Sequence, residues 1–329
     1  MNKSHIFIAI FIFAGVEFVL SASAQVTAVR TLPERGYFPG VSIHVAISVG
    51  DLSSDATLTE TPPAGWTISR VSATGKVTDR AITWNLRKRT FSYICTYIAT
   101  PPETTSGDAA FSGKIGDQDT GGMTTVRQGT PEPIGIFQNH ADYGFVDHSE
   151  VDYDSQTGEY RIKVGESPDS FEYGHFLYRK VYGDCSLQAH VHAENPDESY
   201  NAIAVLHIRD SLSIDNYLSV QIETKVNGQC WASWLEGSYT GFSIGDVSDY
   251  ASANNFDGRL RIERNGDLFS MYYFNTQTEE WKLTRTFNLS FRDPAYIGFY
   301  VWSGNGETTG TFKDVELTIP SSVEEWELY

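Results

Sequence analysis

Apolar and polar side chains alternate along two stretches of the chain, residues 41–49 and 187–193. A period of two places one set of side chains on the buried face of a β-strand and the other set on a polar face. The run AIAVLHI, residues 202–208, is almost uniformly apolar, which is typical of a strand that is covered on both faces. From residue 134 onward, no long window shows the period of an amphipathic helix. The pattern therefore predicts an all-β fold.

The strands fall into two groups. About seven short strands with frequent turns within residues 25–126 predict an immunoglobulin-like β-sandwich. Residues 127–133, RQGTPEP, form an exposed and stiff linker. A further dozen strands between Glu150 and Ile319 predict a two-sheet jelly roll over residues 134–319. We expect the two sandwiches to fold independently, followed by an acidic tail at residues 320–329.

The first 24 residues have the features of a secretory signal peptide. Lys3 precedes an apolar run at residues 6–16, and Ala22-Ser23-Ala24 is a small-residue cleavage signature. The run is shorter than the roughly 20 residues that span a bilayer, and no later segment is apolar enough to do so. We therefore expect a protein without a membrane span that begins at Gln25 and is secreted to the extracellular or periplasmic space.

The charge of the chain excludes one class of partner. The sequence has 42 acidic and 24 basic residues, a formal net charge of −18. A surface of this sign repels a phosphate backbone, so we expect no nucleic-acid partner.

The three cysteines, Cys95, Cys185 and Cys230, cannot all be paired. Cys185 and Cys230 lie in the same predicted domain and are therefore the candidate disulfide. The alternative is that all three are small buried side chains. Their spacing matches neither a disulfide framework nor a zinc site.

A family resemblance covers residues 134–319. The second domain contains, in order, the segments SEVDYDSQTGEYRI, FLYRKVYGDCSLQAHV, AVLHIRDSLSIDNYLSVQI, GRLRIERNGDLFSMYYFNTQTEEWKL, YIGFYVWSG and FKDVELTI. This series resembles the concanavalin A-like sandwich domains of laminin G and β-xylosidase C-terminal type, most closely the bacterial regulation-of-enolase-like branch. Cys185 stands where that pattern usually has Phe, and Leu206-His207 replaces its usual pair.

The first domain resembles the immunoglobulin-like modules of bacterial surface proteins, through shorter motifs. These are Pro62-Pro63-Ala64-Gly65-Trp66, the strand with Trp84, the strand at residues 91–100 and Phe111-Ser112-Gly113. The two resemblances imply an exported, non-catalytic binding or adhesion protein whose jelly roll recognises an extracellular glycan or a surface protein. The alternative is a glycoside hydrolase of concanavalin-like fold, an inference from fold alone.

Hydrolysis with retention needs two carboxyl groups about 5–5.5 Å apart. Glu150, Asp152 and Asp154 have the spacing of one strand face. The E-x-D-x-x-E pattern of glucanases would need Glu at position 155, which is Ser155. We therefore interpret the three acids as a solvated strand edge and predict no catalytic residues.

Metal binding has weak candidates. Asp142, Asp147 and Asp210 could supply the oxygen ligands that calcium prefers, although their spacing matches no calcium motif. His190 and His192 share a strand face and are interpreted as surface histidines. We therefore expect no cofactor, with calcium as the candidate exception.

Aromatic side chains are the candidate ligand contacts, because sugar rings stack on them. Tyr239, Tyr300 and Trp302 lie near predicted loops or strand ends. Trp234 is a further candidate, because it and Trp231 lie on opposite faces of one strand, so at most one of them points outward. Trp302 and Tyr239 are the leading candidates. Trp302 follows an apolar run and precedes the loop Ser303-Gly304-Asn305-Gly306, where sandwiches expose binding groups.

Overall fold

The computed structural model of the protein describes residues 27–319 except 51, 73, 145, 147, 166–172, 195–201, 216, 226–229, 239–240, 250–255 and 304–305. It describes only the backbone of residues 202, 223–225, 230, 237–238, 241–249 and 256. The predicted signal peptide at residues 1–24, the acidic tail, Tyr239 and Asp147 lie outside the described residues.

The first group of strands forms a two-sheet sandwich. The strands are β1 Ala28–Thr31, β2 Ile43–Val49, β3 Ala56–Thr61, β4 Thr67–Ser69, β5 Lys76–Thr78, β6 Ala81–Leu86, β7 Tyr93–Thr100, β8 Ala109–Ala110, β9 Ser112–Ile115, β10 Gln118–Asp119, β11 Gly121–Gly122 and β12 Thr125–Val126. One five-stranded sheet has the order β11-β1-β2-β7-β4, and the other has the order β10-β9-β3-β6-β5. Strands β8 and β12 form a separate pair. Alternate residues of β2, including Val45 and Ile47, fill the core between the two sheets, as their pattern predicts.

The second group forms a larger sandwich. Its strands are β13 Asn139–Tyr143, β14 Ser149–Asp154, β15 Glu159–Val164, β16 Gly174–Val181, β17 Cys185–Glu194, β18 Ala202–Arg209, β19 Tyr217–Lys225, β20 Cys230–Ser238, β21 Gly241–Asp249, β22 Phe256–Asn265, β23 Leu268–Asn275, β24 Glu280–Asn288, β25 Ala295–Ser303 and β26 Thr308–Thr318. One seven-stranded sheet, here the covered sheet, has the order β13-β16-β25-β18-β19-β20-β21. The other, the outer sheet, has the order β14-β15-β26-β17-β22-β23-β24. Since every regular element of the described chain is a strand, the predicted all-β class is confirmed.

The core of the larger sandwich lies between these two sheets. Leu187 and Val191 of β17 point inward, whereas His190 and His192 alternate with them on the opposite face. Phe299 of the covered sheet stacks on Phe312 of the outer sheet, with ring centroids 4.0 Å apart. The predicted alternation of β17 is confirmed, and it places the two histidines on the outside of the molecule.

Two strands of the larger sandwich, β13 and β21, were not predicted from the sequence. The segment NHADY of β13 has few of the side chains that favour strands, and β21 contains two glycines and two aspartates. Pairing with a neighbouring strand decides their conformation: β13 runs antiparallel to β16, and β21 runs antiparallel to β20. Local preference is thus overridden by the sheet that each strand completes.

The covered sheet has one face in the core of the larger sandwich, and its other face packs against the first sandwich. Phe38 and Val41 join a buried cluster with residues of β13, β16, β18 and β25, including Tyr300 and Trp302. This contact explains the uniform apolar run of β18, since its residues face the sandwich core and the interdomain cluster in alternation. The side chains of Trp302 and Tyr300 are therefore interior groups.

Polar contacts complete the interface between the sandwiches. The backbone N–H of Ile214 donates to Ser42 Oγ at 3.0 Å. The carboxylate of Asp215 accepts from the Ser69 hydroxyl and from Arg70 Nε, the latter at 3.3 Å. The two sandwiches thus touch directly, in addition to being joined by the linker. Their independent folding stays a prediction.

The core of the first sandwich contains a buried ion pair that sequence reasoning missed. Arg30 and Glu60 are 1% and 0% exposed and share two hydrogen bonds of 2.7 Å. Tyr97 donates a third hydrogen bond to Glu60 at 3.1 Å. Because a Cβ at Gly113 would lie 2.3 Å from Glu60 Oε2, only glycine leaves room for the carboxylate.

No helix within the described ranges is long and apolar enough to cross a membrane.

The buried position of Trp302 predicts a large effect on stability. We expect Trp302→Ala to lower the free energy of unfolding by about 3–5 kcal/mol, because it removes a large side chain from a packed cluster. Phe91, which is 63% exposed, is the matched control, and Phe91→Ala should change stability by less than about 1 kcal/mol. Urea unfolding followed by fluorescence checks both values. Equal small effects would contradict the interior position of Trp302.

Candidate functional site

The aromatic residues singled out from the sequence do not form a ligand platform. Trp302 and Tyr300 are 4% and 5% exposed and lie in the interdomain cluster. Trp234 is partly buried and packs against the core between the sheets of the larger sandwich. The structure corrects the predicted exposure of these three side chains: the first sandwich covers the sheet face that carries Trp302 and Tyr300, whereas Trp234 turns toward the core between the two sheets. Tyr239 lies outside the described residues.

The described metal candidates are held by protein partners. Asp142 Oδ1 lies 2.7 Å from His175 Nδ1. Asp210 accepts from the backbone N–H of Leu218 at 2.7 Å and from Arg292 Nε at 3.3 Å. Within the described part of the chain, no group of three or more His, Cys, Asp and Glu side chains could hold a metal ion. The third candidate, Asp147, lies outside it.

The candidate disulfide is not formed. Cys185 is a buried free thiol, as is Cys95. Cys185 belongs to β17 of the outer sheet, whereas Cys230, whose side chain is not described, belongs to β20 of the covered sheet. Burial raises the pKa of Cys185 to about 12 and that of Cys95 to about 11, so both thiols are protonated and unreactive at neutral pH.

The three acids of β14 lie on an exposed strand, as the sequence indicates. In the sheet register, Glu150 is opposite Lys163, and Asp152 is opposite Arg161. Asp154 accepts hydrogen bonds within its own turn, from the backbone N–H of Gln156 and the hydroxyl of Thr157. These bonds hold the pKa of Asp154 below its usual range, so this carboxylate is engaged in forming the turn.

The exposed face of the outer sheet brings together a set of residues that are distant in sequence. Lys313 of β26 is the register partner of His190 of β17, which in turn is paired with Arg259 of β22. On β23 and β24, Phe274 is the register partner of Trp281. We call this surface the polar–aromatic face, and its members are Glu159, Arg161, His190, His192, Arg259, Arg261, Tyr272, Phe274, Trp281 and Lys313.

The polar half of this face surrounds a shallow depression. The depression has a volume of about 270 Å³ and is lined by Glu159, Arg161, His190, His192, Glu194, Thr311 and Lys313. Among these residues, Glu159 has one carboxylate oxygen 3.0 Å from Lys313 Nζ and the other 3.8 Å from Arg161 Nε. The lining therefore offers donors and acceptors held at fixed positions by neighbouring strands.

The aromatic half lies beside it. Phe274 and Trp281 meet edge to face, with centroids 5.5 Å apart. The guanidinium carbon of Arg259 lies 3.5 Å from the Phe274 centroid, and that of Arg261 lies 4.4 Å from the Tyr272 centroid. Cation–π contacts of this kind hold the rings in place. All three rings are half-buried and remain partly accessible.

Gly258 allows the two halves to approach each other. It adopts φ +95°, and a Cβ at this position would lie 2.6 Å from the Val191 carbonyl oxygen and 2.7 Å from Cδ2 of the His190 ring. Strand β22 is irregular here, with its register to β23 shifted between Phe256 and Leu260. A glycine is therefore needed where β22 passes His190.

Sequence reasoning found only part of this face. It placed His190 and His192 on one strand face, which the structure bears out. It passed over Phe274 and Trp281, which lie on two different strands that each contain other aromatic residues. Their signal was the turn at residues 276–279, which makes β23 and β24 a hairpin and sets the two rings side by side.

Comparisons with known proteins identify a family but no activity. A family model described as "Protein of unknown function (DUF1349)" matches residues 149–320, just over half of the chain. A functionally unknown protein from Saccharomyces cerevisiae has a solved structure that is 18% identical, with 52% of this chain and 92% of that chain covered and a TM-score of 0.40. A xylan β-1,4-xylosidase from Bacillus halodurans C-125 is 8% identical, with 86% of this chain and 85% of that chain covered and a TM-score of 0.28. No curated protein matches the chain.

Two glycines on β22 and its hairpin test the role of Gly258. Gly258→Ala should destabilise the protein by at least about 1–3 kcal/mol, because it adds backbone strain and a clash with His190. Gly266 also has a positive φ, of +59°, but nothing lies within 4 Å of its Cβ position. Gly266→Ala therefore adds strain alone, about 1–2 kcal/mol. Thermal unfolding ranks the two, and only Gly258→Ala should shift the NMR signals of the His190 ring.

Proposed function

The chain belongs to the DUF1349 family of proteins of unknown function, and from the geometry of its outer sheet we propose that it is an exported, non-catalytic protein that binds extracellular glycan. The binding surface in this proposal is the polar–aromatic face. The first sandwich, which we propose to be an immunoglobulin-like module, acts as a rigid support that covers the opposite sheet.

The observation that carries the proposal is the row of rings beside fixed polar groups. A sugar ring has apolar C–H faces and a rim of hydroxyl groups, so it is recognised by an aromatic surface together with well-placed donors and acceptors. Trp281, Phe274 and Tyr272 supply the aromatic surface, and the Glu159–Lys313 pair supplies the donors and acceptors. The two groups lie on one continuous sheet face.

The charges of this face favour a neutral sugar over an anion. Its basic groups are paired with acids: Lys313 with Glu159 at 3.0 Å, Arg259 with Asp257 at 2.7 Å and Arg261 with Glu263 at 3.1 Å. A phosphate or sulfate would have to compete with these carboxylates. Hydroxyl groups can instead bond to the pairs without separating them.

The extracellular setting rests on the first 24 residues, whose pattern predicts export. A surface protein is the other partner that such a module could bind. Glycan is preferred here because the face combines a shallow depression with half-buried rings, whereas a protein interface of standard size needs a much larger apolar core.

Glycoside hydrolysis is the alternative function. Asp154 and Glu159 are register partners on β14 and β15, which makes them a candidate carboxylate pair on this face. The hydrogen bonds that hold Asp154 in its turn, and the two cations beside Glu159, favour binding over catalysis.

A glycan array with the mature protein tests the binding function, followed by variants with the best ligand. Trp281→Ala should weaken binding by on the order of 1–3 kcal/mol, roughly 5- to 150-fold, because one stacking surface is lost. Phe91→Ala removes an exposed ring from the first sandwich and should leave affinity unchanged. An array without any glycan bound, or equal losses in both variants, would refute the proposal.

The best ligand from the array also distinguishes binding from glycoside hydrolysis. Incubation with the protein should release no reducing sugar. Glycan cleavage that is abolished by Glu159→Gln, Glu150→Gln or Asp152→Asn would instead establish a hydrolase.

A further inference from the structure

A chain of four ionisable side chains crosses the interface between the sandwiches. Arg35 of the first sandwich donates from Nη1 to His140 Nδ1 at 3.0 Å and to the His140 carbonyl at 3.3 Å. His140 Nδ1 lies 2.9 Å from His175 Nε2, and His175 Nδ1 lies 2.7 Å from Asp142 Oδ1. His175 is 1% exposed and His140 is 8% exposed. The contact thus places a buried histidine directly against a cation of the other sandwich.

The hydrogen bonds determine where the protons lie. Arg35 can only donate, so His140 Nδ1 must be an acceptor and must carry no proton. His175 Nε2 must then donate to His140 Nδ1, and His175 Nδ1 donates to the Asp142 carboxylate. His140 is therefore neutral in the docked protein, with its proton on Nε2.

Protonation of His140 would disrupt this arrangement. A proton on Nδ1 would remove the acceptor that Arg35 uses and would place a new positive charge beside the guanidinium. Glu132, whose carboxylate is 3.7 Å from His140 Nε2, and Asp142 on the same strand would attract that charge. Burial, followed by the charges of His175 and Arg35, outweighs them and lowers the pKa of His140 to about 3.

A second histidine, on the covered sheet, is also buried and also has a lowered pKa. His207 is 4% exposed, and neither ring nitrogen has a hydrogen-bond partner among the described residues. It packs between Phe176 and Tyr300, both members of the interdomain cluster, and lies opposite Gln221. Burial, followed by the charge of Arg209, lowers the pKa of His207 well below its usual range.

From this geometry we propose that the interface is an acid-sensitive latch: protonation of His140, assisted by His207, separates the two sandwiches while each stays folded. Separation exposes the face of the covered sheet that the first sandwich had covered, including Tyr300 and Trp302. The latch is independent of what the polar–aromatic face binds.

The direction of the pH dependence follows from proton binding. In the docked state His140 stays neutral down to about pH 3, whereas a solvated histidine titrates near pH 6.5. Below pH 6.5 the separated state therefore binds more protons, and docking weakens as the pH falls. One histidine reduces the docking constant by about tenfold per pH unit, or about 30-fold at pH 5.

Hydrogen exchange of the full chain tests the latch. The Ile214 N–H, which is bonded to Ser42 Oγ across the interface, reports on docking. Its protection factor should fall by at least about 30-fold between pH 7.5 and pH 5, beginning below about pH 6.5. Amides of β17 in the jelly-roll core should keep their protection over this range. Unchanged protection at Ile214, or equal loss in β17, would overturn the proposal.

Variants identify the group that titrates. His140→Gln retains an acceptor for Arg35 but cannot be protonated, so the loss at pH 5 should shrink by about 30-fold. His207→Phe should reduce any loss of Ile214 protection that remains at pH 5. His192→Gln, which changes an exposed histidine, should behave as the wild-type protein. Full acid release in the His140→Gln, His207→Phe double variant would overturn the latch, as would a wild-type transition beginning only below about pH 4.5, where carboxylates titrate.

Discussion

The contact between the first sandwich and the covered sheet is the constraint on which the arrangement of this protein depends. A seven-stranded sheet has two faces, and the larger sandwich buries only one of them in its own core. Phe38 and Val41 cover part of the other face, where Tyr300 and Trp302 would otherwise meet water. The first sandwich is thereby part of the packing of the second, and the outer sheet keeps the exposed face on which a large ligand can lie.

The two surfaces of the larger sandwich differ in chemistry as a result. The covered face carries rings, the buried His207 and Arg209, which donates to the carbonyls of Ser211 and Ser213. The polar–aromatic face carries ion pairs that stay in contact with solvent and rings whose faces contact arginine guanidinium groups. The first surface is suited to a permanent or switchable protein contact, because its polar groups are neutral or internally paired. The second is suited to a hydroxyl-rich ligand.

Much of the fold could be predicted from the sequence, because alternation with a period of two is a local property that survives in any β-sandwich. It identified β17 and β18 and the outward direction of His190 and His192. It missed β13 and β21, whose residues form strands only because a neighbouring strand completes their hydrogen bonds. It also missed the Arg30–Glu60 pair, since two charged residues thirty positions apart carry no local sign that they will be buried together.

The candidate site was less predictable than the fold, for a physical reason. An apolar run in the sequence shows that a strand is covered on both faces, but not what covers it. The same features that made Trp302 resemble an exposed ligand contact, an apolar run followed by a loop, are those of a strand buried under a second domain. By itself the sequence determined the strand pattern and the excess of acidic residues, and it predicts export. The tertiary structure alone decided which sheet face is covered, which rings meet across a hairpin, and that Arg35 meets His140, because these depend on contacts between residues far apart in the chain.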